Sequence, residues 1–85
     1  MTRLVVVAGR ARRQLSALPM PVSVAILEFC NGPLAEEPWR LGKPLLPPLA
    51  PLWSARRGTY RILYRWTDTE VHVEAVGHRA DVYRP

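Results

Sequence analysis

Four arginines, Arg56, Arg57, Arg61 and Arg65, fall within ten residues, and no acidic residue interrupts them. A guanidinium is a planar fork of N–H donors that matches a phosphate, and it stays charged at any accessible pH. Arginines at this density suit the grip of phosphodiester oxygens or of an acidic partner. They do not suit proton transfer. The side chains that exchange a proton near neutrality are His72 and His78. His78 stands beside Arg79, and Tyr83 follows shortly after. Lys43 is the one lysine. The single cysteine, Cys30, excludes an intrachain disulfide, and with two histidines it offers no metal-ligand cluster. No metal or other cofactor is expected.

The composition narrows the partners. Eighty-five residues with a net charge of +5 make one small basic domain, spanning residues 1–85. Such a charge favours nucleic acid, the ribosome or an acidic protein segment. Eleven of the twelve basic residues are arginine, and nine residues are proline, which a GC-rich genome accounts for as a bias. It does not account for the clustering. The apolar run Leu4–Ala8 is far shorter than a membrane span of about 20 residues and is read as a strand. No membrane contact is expected, and a reduced, cytoplasmic setting is the economical inference.

The elements that must position these groups follow from periodicity. Leu4–Ala8, apolar throughout, predicts a strand that is central or covered on both sides. Gly9 breaks it, and Ala11, Leu15 and Leu18 predict a helix over 10–18, ended by Pro19. Arg10, Arg12 and Arg13 lie off its apolar face, as a solvated surface. Pro21 suits a first helical turn, and Val22, Ala25, Ile26, Phe29 and Cys30 continue a second helix. Asn31-Gly32-Pro33 predicts a left-handed cap and a breaker, with a brief helical resumption before Pro38. Five prolines between 38 and 51 argue against a regular helix or central strand; the leucines and Trp39 there predict a loop packed on the domain. Strands are predicted over 52–56, 60–66 and 70–76, separated by turns at Gly58-Thr59 and Thr67–Thr69, with Asp81–Tyr83 as a short final strand. The fold class is α+β, in the order β-α-α-β-β-β. Two helices from the N-terminal half pack on a small, mostly antiparallel four-stranded sheet.

Alternation divides the central strand. Tyr60, Ile62, Tyr64 and Trp66 share one face, and Arg61, Leu63 and Arg65 the other. Burial requires Ile62 and Tyr64 to share a face with Val71, Val73 and Ala75. The connecting loop is then even-numbered, either Thr67-Asp68 or Thr67–Glu70. Either choice collects Arg61, Leu63, Arg65, His72, Glu74, Val76 and His78 on the opposite face. Glu74 is thereby placed to orient Arg61 or a neighbouring arginine, or to form a plain cross-strand surface pair.

Three motifs occur in order: Arg40-Leu-Gly-Lys-Pro-Leu45, Leu52-Trp-Ser-Ala-Arg-Arg-Gly-Thr-Tyr-Arg-Ile-Leu-Tyr64, and Val76-Gly-His-Arg-Ala-Asp-Val-Tyr-Arg84. Together they resemble the RelE branch of the RelE/ParE toxin superfamily. The resemblance covers about residues 38–84 by motif and the whole chain by layout. It implies a type II toxin that enters the ribosomal A site, cuts the bound mRNA and is neutralised by an acidic RelB-like antitoxin. Carried over by position, Arg61 would contact the scissile phosphate and Arg79 would stabilise the leaving group. Tyr83 would stack on or orient a nucleotide, and Arg56 supplies a basic position on the preceding strand. Arg57, Arg65 and Lys43 extend the basic surface. One departure stands out. Family nucleases often carry a lysine pair on that preceding strand, where this chain has Leu52 and Ser54. His78 is one substitute base, whereas Arg56 or Arg57 brings charge without accepting a proton.

The chemistry expected is metal-free attack of a ribose 2′-hydroxyl on the adjacent phosphate, leaving a 2′,3′-cyclic phosphate and a 5′-hydroxyl. Two other readings share the fold: a ParE-like toxin that inhibits DNA gyrase by binding alone, and a catalytically degenerate domain that binds RNA or a partner.

Overall fold

The computed structural model describes residues 2–78 and 82–83. A five-stranded sheet runs in the order β1-β5-β4-β3-β2. The strands are β1 (Leu4–Val7), β2 (Gly42–Pro44), β3 (Trp53–Arg57), β4 (Tyr60–Trp66) and β5 (Glu70–His78). β1 lies parallel to β5, and every other pairing is antiparallel. Helices α1 (Gly9–Ser16) and α2 (Met20–Phe29) contribute Ala11, Leu15 and Ile26 to the main core on one face of the sheet. Ala55, Ile62, Tyr64, Val71, Val73 and Val76 meet them from the strands. A smaller cluster of Leu63, Ala75 and Val82, flanked by Leu45, Leu52 and Tyr83, fills part of the other face.

The class and the order of the main elements match the sequence reading, with one strand more. The extra strand, β2, and the one-turn helix α3 (Pro38–Leu41) both lie in the proline-rich segment expected as an irregular loop. The prolines are compatible with them by position. Pro38 sits in a first helical turn, where no N–H is needed, and Pro44 ends a strand at the rim of the sheet. β1 is the opposite edge rather than a covered centre. Val5 and Val7 pack toward the helices, while Leu4 and Val6 are 65% and 37% exposed. Continuous apolarity is therefore not a sign of burial on both sides here.

Helix boundaries differ in instructive ways. Gly9 opens α1 instead of preceding it, and the helix ends at Ser16. Asn31-Gly32-Pro33 does not terminate α2 through a left-handed residue, since positive φ occurs at Gly58 alone among the described residues. The chain instead widens into a π-helical turn, Cys30–Leu34. A wider turn gives the Pro33 ring room against the preceding carbonyls, and Asn31 Nδ2 donates to Leu27 O at 2.9 Å. Two side chains lock the helices down. Ser23 Oγ donates to Leu15 O at 2.6 Å, and Gln14 Oε1 accepts the Val76 N–H at 2.7 Å, just past the end of β1.

The hairpin register begins as predicted and then shifts. Trp66 pairs with Val71 and Tyr64 with Val73, the four-residue Thr67–Glu70 alternative, and Thr67 Oγ1 accepts the backbone N–H groups of Thr69 and Glu70. Between Leu63 and Tyr64 the pairing slips by one, so Leu63 faces Ala75 and Ile62 faces Val76. Glu74 is the residue passed over. The slip exchanges the expected places of Ala75 and Val76. The larger Val76 enters the main core, and the small Ala75 lies against Leu63. Of the predicted final strand Asp81–Tyr83, Val82 is helical and Tyr83 lies in a turn, while Asp81 lies outside the described residues.

Cys30 is enclosed in the main core, and burial pushes its thiol from an ordinary 9.0 up to about 12. The folded chain thus keeps a proton that the unfolded chain releases above about pH 9. This contribution to stability is full below that pH and is lost as pH rises toward about 12. The urea midpoint should fall on going from neutral pH to about pH 10, and less steeply in Cys30→Ala. A thiol reagent should leave native Cys30 unmodified and react with it in denaturant.

Candidate active site

The central strands carry the site on the face turned away from α1 and α2. The two-residue turn Gly58-Thr59 sets the register of β3 against β4, and its tightness needs Gly58 at φ +62°. Arg56 is thereby placed directly across from Arg61, and Ser54 across from Leu63. One strand further out, Lys43 lies across from Ser54. An open cleft of about 470 Å³ collects Arg40, Lys43, Ser54, Arg56, Arg61 and Tyr83 over a floor of Leu41, Gly42 and Leu45. Ser54 Oγ and Tyr83 Oη are 3.3 Å apart, a hydrogen bond that holds the tyrosine at the cleft wall.

The far wall of the cleft depends on a buried tyrosine. Tyr64 Oη donates to Pro38 O at 2.6 Å, which ties α3 to the sheet. Its ring is fully enclosed, and desolvation pushes its phenol well above the ordinary tyrosine value. Gly42 fits beside it because it has no side chain. A Cβ there would collide with Tyr64 Oη and come within 2.8 Å of Ser54 O. β2 can therefore lie flat along β3 and hold Lys43 over the cleft.

The electrostatics are one-sided. No carboxylate lines the cleft among the described residues. Glu37 is engaged with Arg40 at 3.2 Å, Glu74 lies 3.7 Å from Arg65, and Glu70 pairs with His72 at 2.9 Å. Arg56 Nε donates to Gly58 O at 3.3 Å, which draws it toward the turn. Like charges placed directly across an antiparallel pair repel. The opposed Arg56 and Arg61 therefore form a site that an anion would relieve.

Of the residues singled out from sequence, the structure gathers Lys43, Arg56, Arg61 and Tyr83. It separates the others. His78 pairs with Tyr60, their rings 4.5 Å apart, on the face opposite to Arg61. The one-residue slip at Glu74 moves it there, so His78 is not a base at this cleft. Arg57 also points to the helix side, its guanidinium 5.8 Å from the Phe29 ring centroid. Arg65 pairs across from His72 near the far end of β4, outside the cleft. Glu74 sits by Arg65 and not by Arg61. Arg79 lies outside the described residues. Arg40 and Ser54 are cleft residues that sequence reasoning did not select. Arg40 opens the first of the three motifs, and Ser54 occupies one of the positions where a lysine was sought, so both carried a signal.

Known proteins resemble this chain in sequence and in fold. Residues 24–83 match the family described as the ParE toxin of type II toxin–antitoxin systems, parDE. The chain belongs to this family. It is 54% identical over 76 residues to Toxin RelG of Mycobacterium tuberculosis (strain ATCC 25618 / H37Rv), covering 87% of each chain. It is 43% identical over 82 residues to Toxin RelE of the same organism, covering 94% of this chain and 84% of that one. The solved toxin–antitoxin complex RelBE2 from Mycobacterium tuberculosis contains a chain that superposes with a TM-score of 0.88 at 48% identity, with 95% of both chains covered. Within the RelE/ParE superfamily these relatives put the chain on the RelE-like branch. No helix among the described residues is long and apolar enough to cross a membrane.

The tyrosine lock gives the toxin a measurable weak point. Tyr64→Phe should cost about 1–3 kcal/mol in urea denaturation, because Pro38 O loses its buried donor. Gly42→Ala should cost about 1–3 kcal/mol through overpacking, and combining it with Tyr64→Phe should cost less than the sum, since the phenylalanine removes the colliding atom.

Proposed function

We propose that this toxin is a ribosome-dependent endoribonuclease that cuts mRNA through the substrate's own 2′-hydroxyl. The observation that carries the reading is the opposed Arg56–Arg61 pair in an open cleft without a carboxylate, flanked by Tyr83. RNA brings an internal nucleophile, so the protein has three tasks. It must bend the backbone into line, neutralise the phosphorane and assist two proton transfers. Arg61 and Arg56 grip the non-bridging oxygens of the scissile phosphate with charge-assisted hydrogen bonds. Tyr83, steadied by Ser54, stacks on or orients a base beside that phosphate. Arg79 stabilises the departing 5′-oxygen, as the family resemblance assigns. The cleft is open rather than enclosing, so positioning of the substrate falls to the ribosome.

The same cationic surface suits neutralisation by an acidic RelB-like antitoxin. The similarity to a chain solved within a toxin–antitoxin complex supports such a partner. An acidic segment laid across Arg56 and Arg61 would block mRNA by direct competition.

Mapping RNA ends after induced expression tests the reading. Wild type should arrest growth and produce new 5′-hydroxyl ends inside translated codons. Arg61→Ala should slow cleavage of mRNA on purified ribosomes by about 10²–10³-fold, the usual effect of losing one donor to a developing anion. Intact mRNA accompanied by collapse of DNA supercoiling would assign the toxin to gyrase inhibition instead.

A further inference from the structure

Strand-to-strand placement singles out a proton carrier that composition alone leaves open. Cleavage through a 2′-hydroxyl needs a group that removes its proton, and arginine does not supply one. Arg40, Arg56 and Arg61 are thereby excluded from that step. His78 is on the other face of the sheet with Tyr60, and His72 is held by Glu70 away from the cleft. No carboxylate lines the cleft among the described residues. Ser54 and Tyr83, hydrogen-bonded to each other, offer hydroxyls rather than a basic nitrogen. Among the described residues, the one cleft side chain left whose nitrogen can both lose and regain a proton is Lys43.

The position of Lys43 is built, not incidental. It lies on edge strand β2 directly across from Ser54, on the face shared with Arg56 and Arg61. Pro38, held by Tyr64 Oη, fixes the turn before it, and Gly42 lets the strand close onto β3. Its side chain forms no ion pair or hydrogen bond with the described residues.

We propose that Lys43 is the proton-transfer residue of this toxin. The inference rests on the ribonuclease reading above. The neutral amine of Lys43 takes the proton of the 2′-hydroxyl as that oxygen bonds to phosphorus. The bond from phosphorus to the 5′-oxygen breaks, and the leaving oxygen takes a proton from water. The hydroxide so formed recovers the proton from the Lys43 ammonium. The products are a 2′,3′-cyclic phosphate and a 5′-hydroxyl, and the amine is regenerated.

Single-turnover cleavage of mRNA on purified ribosomes, followed across pH, tests the assignment. The variants are Lys43→Arg, which keeps the charge, and Lys43→Ala. Lys43 is exposed, and matching urea midpoints would show that both variants fold. The wild-type rate should rise with pH. Lys43→Arg should bind programmed ribosomes as wild type does, yet cleave about 10²–10⁴-fold more slowly with a flattened pH profile. Added small primary amines should restore cleavage by Lys43→Ala and leave Lys43→Arg unchanged. If Lys43→Arg instead keeps the wild-type rate and pH profile, Lys43 contributes charge alone and the proposal is wrong, while the ribonuclease reading stands. Should the wild type itself leave mRNA intact, both fall together.

Discussion

The hydrogen bond from Tyr64 Oη to Pro38 O joins the two halves of this molecule's problem. A small domain must bury what apolar surface it has, and it must also hold a set of cations in a fixed pattern. Tyr64 serves both ends. Its ring fills the core between the sheet and the helices, and its hydroxyl reaches through to the segment that walls the cleft. An unpaired phenol at that depth would be costly, so the carbonyl of Pro38 is not free to drift. Residues 38–44 follow from this anchor, first as one helical turn and then as an edge strand whose glycine passes beside the tyrosine. Without the anchor, Arg40 and Lys43 would lie on a loose proline-rich loop, and the cleft would have one wall.

β4 shows how much of this was legible. Its period-two alternation assigns Tyr60, Ile62 and Tyr64 to the core side and Arg61 to the open side, and the structure keeps both assignments. Its boundaries, 60–66, agree as well. Helix α2 was legible as a periodicity, but its end was not. Asn-Gly-Pro is a strong stop by local propensity, and tertiary packing of Cys30, Leu34 and Ala35 carries the chain through as a wider turn instead. β2 was hidden for a related reason. Proline content argues against central strands, and an edge strand of three residues escapes that argument. β1 misled in the opposite sense, because its uncovered face is as apolar as its buried one.

The site was legible residue by residue where it depended on alternation, and illegible where it depended on register. Arg56 and Arg61 follow from a tight turn of known length, so their opposition could be reasoned in advance. His78 lies beyond Glu74, where one passed-over residue turns every later side chain to the other face. No local pattern marks that residue. What selects the slip is volume: Val76 fills the core beside Ile62 better than Ala75 would, and Ala75 leaves room for Leu63. A histidine adjacent in sequence to the proposed catalytic Arg79 is thus removed from the cleft by a packing decision made two residues earlier.

Among the described residues no carboxylate lines the cleft, and the consequence is a link between stability and occupancy. Opposed arginines on neighbouring strands repel, and Lys43 adds to the same field, whereas Arg40 is paired with Glu37. The core on the other face holds these strands together through the buried Ile62 and Tyr64. Any polyanion that spans the cleft relieves the repulsion and stabilises the folded state, by an amount that grows with the logarithm of its concentration over its Kd. An RNA backbone and an acidic antitoxin segment meet that description equally. On the proposed reading the two would compete for one cationic surface, and their mutual exclusion would need no conformational switch.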